Sequence, residues 1–175
     1  SAEFAHVVYR FGHSMLTDDI DRAGFGADSP SMSLFDAFLN PDAFTNNGAM
    51  TPDQGAAAVL MGMSKQTGNG IDEFVDSTLR NQLLGLPLDL ATFNIARARD
   101  TGSPTLQTMR QVFYDQTLDA GLKPYANWEE FRLGLKNRAS VVNFVAAYSN
   151  HATVQGANTI AGKRDQLEGK IQERY

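Results

Sequence analysis

Apolar residues recur at i, i+3, i+4 and i+7 spacing from one end of the chain to the other, and strict alternation of apolar and polar residues is nearly absent. That period fits helices and not a half-buried sheet, so the expected fold class is all-α, an irregular helical domain. The first helix is predicted over Glu3–Leu16. At about 100° per residue, Phe4, Val7, Val8, Phe11 and Met15 fall within an arc of about 100° and form the stripe expected to face the core. His6 and His13, seven residues apart, project from the opposite side.

Residues 17 to 50 carry most of the turn chemistry, with Gly24, Gly26, Pro30, Pro41 and Asn46-Asn47-Gly48 around one short helix near Ser33–Leu39. Thr51-Pro52-Asp53-Gln54 then combines an N-cap, a proline at the first helical position and a capping-box glutamine, opening a helix to about Gln66. Further helices are predicted over Asp72–Leu84, over Leu90–Asp100 with Asp89 as cap, and, after the starts Ser103-Pro104 and Asn127-Trp128-Glu129-Glu130, over Thr105–Leu118 and Trp128–Leu135, followed by an apolar run from Val141 to Tyr148. A polar helix is expected from Thr153 towards Tyr175. A length of 175 residues suits a single domain spanning 1–175. The chain opens without an initiator Met or a basic-then-apolar leader, so an excised piece of a larger protein is expected.

Charge and composition remove several function classes. A net charge of −5 and a pI near 5.1 argue against a general nucleic-acid or anionic-membrane binder. No window of 18 consecutive apolar residues occurs, so no membrane span is expected. Without cysteine there is no disulfide, thiolate metal site or cysteine nucleophile. The acidic residues Asp18, Asp19, Asp21 and Asp28 miss the calcium-loop pattern and are expected to be solvated.

Two groups of residues could carry chemistry. His6 and His13 lie off the apolar stripe of the first helix, where a histidine is commonly a solvated surface group, and His151 sits at a helix end. Asn94 and Arg97, i and i+3 on the helix capped by Asp89, share one face. Asparagine is mildly unfavourable in mid-helix, and here it reads either as an exposed amide or as one with a task.

Longer strings favour the second reading. Glu3-Phe4-Ala5 followed by Tyr9-Arg10-Phe11-Gly12-His13-Ser14 resembles the proximal-histidine motif E-F-x-x-x-x-x-R-[FY]-G-H of the animal-type haem peroxidase superfamily. The run from Asp89 to Asp100 is similar to the second signature, D-L-x-x-x-N-x-x-R-x-R-D, and 81 positions separate His13 from Asn94. Gln111-Val112-Phe113, Leu122-Lys123-Pro124-Tyr125, the segment Asn143–Tyr148 and Ala161-Gly162-Lys163-Arg164 resemble bacterial members, which are often long secreted proteins.

The resemblance implies haem as cofactor, hydrogen peroxide and a small reducing substrate as reactants, and an extracellular setting. It makes His13 the axial ligand of the iron, given as neutral imidazole. It makes Asn94 the acceptor of the His13 Nδ1–H, and Arg97 and Arg10 the contacts of the haem propionates. In the fatty-acid dioxygenase branch a tyrosine stands three residues before the ligand; here that residue is Arg10, which favours a peroxidase. The family's distal histidine and arginine lie well upstream, and twelve residues precede His13. The expectation is therefore a proximal-side fragment of a larger, mainly helical haem peroxidase fold, inactive alone and holding haem weakly or not at all. Exposed apolar patches and self-association through them are expected as well. A non-enzymatic helical haem-binding or interaction module is the rival reading, and a fatty-acid dioxygenase a lower one.

Overall fold

The structure is a computed structural model that describes residues 1–24, 31–82 and 85–167. Asp28, the predicted helix end at Leu84 and the tail of the last predicted helix lie outside the described residues. The described chain is mainly helical. It runs α1 (Ala2–His6), a 3-10 helix (Val8–Met15), β1 (Asp19–Ile20), β2 (Met32–Ser33), α2 (Leu34–Ala37), α3 (Pro41–Phe44), α4 (Pro52–Met63), α5 (Ser77–Asn81) and α6 (Leu90–Asp100). Then come α7 (Leu106–Thr117), α8 (Trp128–Leu133), α9 (Val141–Tyr148), α10 (Ala152–Gln155) and α11 (Ile160–Asp165). Contacts gather it into two compact units that divide between Ser103 and Pro104.

In the first unit, α4 forms where the sequence places it. The Thr51 hydroxyl accepts the Gln54 amide and the Gln54 side chain accepts the Thr51 amide, closing the capping box. Gly55, Ala58 and Gly62 make a buried stripe of small residues along this helix. The stripe lets backbone meet backbone. A Cβ on Gly62 would lie 2.1 Å from the Asp21 carbonyl oxygen, and the Ala23 amide donates to the Ala58 carbonyl at 2.9 Å. Gln66 extends the seam by donating to Thr17 Oγ1 (2.9 Å) and to the Asp19 carbonyl (2.6 Å). The antiparallel pair β1–β2, with Asp19 opposite Ser33 and Ile20 opposite Met32, is too short for alternation to signal it.

The helix predicted over Asp72–Leu84 is shorter than expected, starting only at Ser77. The Asp72 carboxylate accepts the Phe74 amide at 2.8 Å and turns the chain locally, and Asp76 then caps α5 through the Thr78 amide at 2.7 Å. Leu79 of α5 packs with Leu34, and Ile20, Val75, Leu88 and Leu90 close around them. Leu90 is the first residue of α6. The position of α6 is thus fixed by an apolar anchor at its start and by the Asp89 cap, whose carboxylate accepts the Thr92 amide at 2.9 Å.

The second unit centres on α9. Val141, Val145 and Ala146 are buried with Val154 and Leu167, bordered by Trp128, Phe131, Leu135 and Val142. Phe131 organises the border, meeting Tyr125, Trp128 and Phe144 edge to face at centroid distances of 5.4, 5.8 and 5.1 Å. Arg110 of α7 lies 4.0 Å from the Tyr125 ring centre and donates to the Gly121 and Lys123 carbonyls. The predicted polar helix from Thr153 is two short helices, α10 and α11, because Gly156 closes the first turn and Thr159 caps a new one.

The N-terminal segment departs most from the sequence expectation. Helical structure covers it, but α1 stops at His6 and Val8–Met15 is wound as a 3-10 helix after a break at Val7 (φ −124°, ψ −72°). The stripe predicted to be core faces outward: Phe4 is 56% exposed, Val8 56% and Phe11 59%. Glu3, His6, Arg10 and His13 are instead half-buried and Ser14 is buried. Among the described residues the stripe lies outside the hydrophobic cluster of this unit, which forms around Leu34 and Leu79. Such an apolar face suits contact with something beyond the described residues.

Candidate functional site

Four residues were singled out by sequence: His13, Arg10, Asn94 and Arg97. His13 and Arg10 share the 3-10 segment, three residues and so one turn apart. Burial, and after it the positive charge of Arg10, hold the His13 pKa below its ordinary value. Both causes favour neutral imidazole, the form that has a lone pair for a metal. Arg10 is itself held by its Nε–H, which donates to the Ala5 carbonyl at 3.2 Å, and lies 5.9 Å from the Tyr9 ring centre.

The C-terminal end of the segment is fastened to residues 69–72. The Asn69 amide donates to the Met15 carbonyl (3.1 Å), its side chain to the Leu16 carbonyl (2.7 Å), and the Asp72 amide to Ser14 Oγ (3.4 Å). Sequence reasoning missed that Asn69 and Ser14 fasten the end of the segment that carries His13. An asparagine before glycine reads as an ordinary turn, and only the fold shows which carbonyls it meets.

Asn94 and Arg97 lie on α6, which packs against α1 and α5. Asn94 is half-buried and its Oδ1 is buried with no hydrogen-bond partner among the described residues. A hydrogen bond from His13 to that oxygen is therefore not formed, although the acceptor is in place for a donor. On α1, His6 carries a second such atom, a buried Nδ1 without a partner. Arg97 is exposed, and its side chain makes no hydrogen bond or ion pair among the described residues. A buried acceptor left open normally costs about 1–3 kcal/mol, so one on the wall that also carries Arg97 is a specific feature to account for.

Asp18, expected as a solvated carboxylate, is exposed but hydrogen-bonds Asp76. That bond, with the negative charge behind it, raises the Asp18 pKa. Burial pushes Asp76 up, but the bonds from Asp18 and from the Thr78 amide outweigh it and leave its pKa lowered. The pair ties the approach to β1 to the cap of α5. His151 caps α10, accepting the Thr153 amide on Nδ1. Among the described residues, no three of His, Asp and Glu converge as a cage for a bare ion, and no helix is long and apolar enough to cross a membrane.

The residues present fit haem in their donor chemistry. Porphyrin supplies four donors of its own, so one neutral imidazole is a sufficient protein ligand. Two guanidinium groups in the motif segments match its two carboxylates. Two concavities, of about 350 and 690 Å³, are lined by other residues, among them Phe35, Leu79, Phe44 and Val59. None of His13, Arg10, Asn94 and Arg97 lines either concavity.

Comparison with known proteins identifies the family. The chain is 28% identical to peroxinectin A of Dictyostelium discoideum over 135 residues, 74% of this chain and 23% of that protein. It is 27% identical to the dual oxidase of Drosophila melanogaster over 133 residues, 73% of this chain and 8% of that one. Its fold matches peroxidase A of Dictyostelium discoideum with a TM-score of 0.60 at 23% identity, over 97% of this chain and 26% of that one. The chain spans about a quarter of the length of the first relative it matches. The model of the animal haem peroxidase family matches residues 1–158, and the chain belongs to that family.

Proposed function

We propose that this chain is the proximal haem side of a peroxidase that reduces hydrogen peroxide while oxidising a small donor, and that alone it is inactive. What carries this reading is the chemistry of the two motifs: on one, a half-buried imidazole whose pKa burial and then Arg10 hold below its ordinary value, and on the other, a buried amide oxygen that accepts no hydrogen bond among the described residues. His13 would hold the iron, Asn94 would take the Nδ1–H and fix the tautomer, and Arg10 and Arg97 would hold the propionates. Bound haem supplies the two-electron reduction of peroxide and the stepwise oxidation of a donor.

The chain's own residues bind and orient. A hydrogen bond from Nδ1–H to Asn94 leaves Nε2 as the lone-pair nitrogen and makes it more basic. Burial, and after it the charge of Arg10, favour the unprotonated imidazole that can ligate. Moving the peroxide proton is a task this reading assigns to none of these four residues. The outward Phe4, Val8 and Phe11 stripe is the face that the remainder of the fold would cover, and without it the chain would self-associate. An extracellular setting rests on the family resemblance.

Haemin titration followed by the Soret band tests the reading. A band shift that depends on His13, and is lost in His13→Ala, is the expected result. Identical spectra for the two proteins would remove the ligand assignment.

A further inference from the structure

An eight-residue 3-10 helix is unusual, since runs beyond three or four residues are uncommon and their hydrogen bonds are poorer than those of an α-helix. The sequence of the segment asks for something else, because its apolar period continues that of α1 as one helix. What interrupts it is visible. In a continuous α-helix the Ala5 carbonyl would accept the Tyr9 amide, but it accepts Arg10 Nε–H, and the Val7 carbonyl takes the Arg10 amide at 3.1 Å.

The two windings present His13 differently. Five steps from Val8 to His13 turn about 500° in an α-helix and about 600° in a 3-10 helix, so the imidazole differs by about 100° around the axis. The lengths differ as well, by about 0.5 Å per residue or about 4 Å over the segment. Its far end is pinned by Asn69 and Asp72, so the change must be taken up at Val7. Meanwhile Asn94 Oδ1 accepts no hydrogen bond among the described residues, on α6, which packs on α1.

We propose that Val8–Met15 is a two-state winding switch with Arg10 as its latch, and that the α-helical state is the one that binds haem through His13. A carboxylate that captures Arg10 releases the Ala5 carbonyl to the Tyr9 amide, and α1 extends through His13. The ligand is thereby coupled to the geometry of its own axial donor. This rests on His13 as the haem ligand.

The test biases the winding without touching His13, Arg10 or Asn94. Val8 is exposed, and a Cβ at Gly12 meets nothing within 4 Å. Val8→Glu with Gly12→Lys places an ion pair at i, i+4, adjacent in an α-helix and about 120° apart in a 3-10 helix. Gly12→Ala alone is the second variant. NMR of the 175-residue chain reads the winding from αN(i,i+4) against αN(i,i+2) contacts, and haemin titration reads the affinity.

The expected result is α-type contacts across Val8–Met15 and about fivefold tighter haemin binding, both variants losing the gain when His13 becomes Ala. If the wild-type Soret shift depends on His13 but the α-wound variants bind no more tightly, or neither variant becomes α, the switch is wrong and the ligand stands. If no protein shows a His13-dependent shift, the ligand reading falls and the switch with it.

Discussion

Arg10 stands one 3-10 turn before His13, and its charge adds to burial in holding the imidazole below its ordinary pKa. Arg10→Gln should therefore raise the His13 pKa partway, since the burial remains, as read by NMR titration of the ring protons. An unchanged or lower value would contradict the assigned cause. The sign for stability follows from linkage. The unfolded chain takes up the proton near 6.5 and the folded one only at lower pH, so this contribution is full above about 6.5 and stability falls on acidification below it.

Gly62→Ala should destabilise the first unit by about 1–3 kcal/mol or more, because the added methyl meets the backbone of Asp21 and Arg22, which has nowhere to go. Gly70→Ala is the control, with nothing within 4 Å, and should lie within about 0.5 kcal/mol of wild type. Denaturant unfolding of the two variants compares them. Equal midpoints would mean that α4 is not seated against residues 21 and 22 as described.

Asp89→Ala removes the cap that starts α6 and should cost about 1 kcal/mol, with amide exchange increasing first at Thr92 and Phe93. Haemin affinity should fall as well, since Asn94 and Arg97 ride on that helix. Loss of stability without any loss of affinity would separate α6 from haem binding.

Leu118 ends α7 in the left-handed region (φ 56°) with its side chain 75% exposed, so it incurs a conformational cost with little burial in return. Leu118→Gly should stabilise the chain by up to about 1 kcal/mol by thermal unfolding. A destabilised variant would show that the leucine contributes packing of its own.

Legibility in the sequence followed the range of the interaction. Thr51 and Asp89 announce their helices within four residues, and each accepts the amide expected of a cap. The short helices α5, α10 and α11 were over-extended because Asp72, Asp76 and Thr159 redirect the backbone locally, which apolar period does not register. The motif residues could be named from sequence, yet the winding around His13 could not. An apolar stripe says that a face will be covered and not by what, so Phe4 and Phe11 read as core although they face outward here.

The most direct measurement is electron paramagnetic resonance of the ferrous nitrosyl haem complex of this chain, made with ¹⁴N- and ¹⁵N-histidine. Coordination by His13 predicts hyperfine splitting from the nitrogen trans to nitric oxide, changing from a triplet to a doublet on labelling and vanishing in His13→Ala. A spectrum without that splitting, or one that survives the substitution, would contradict it.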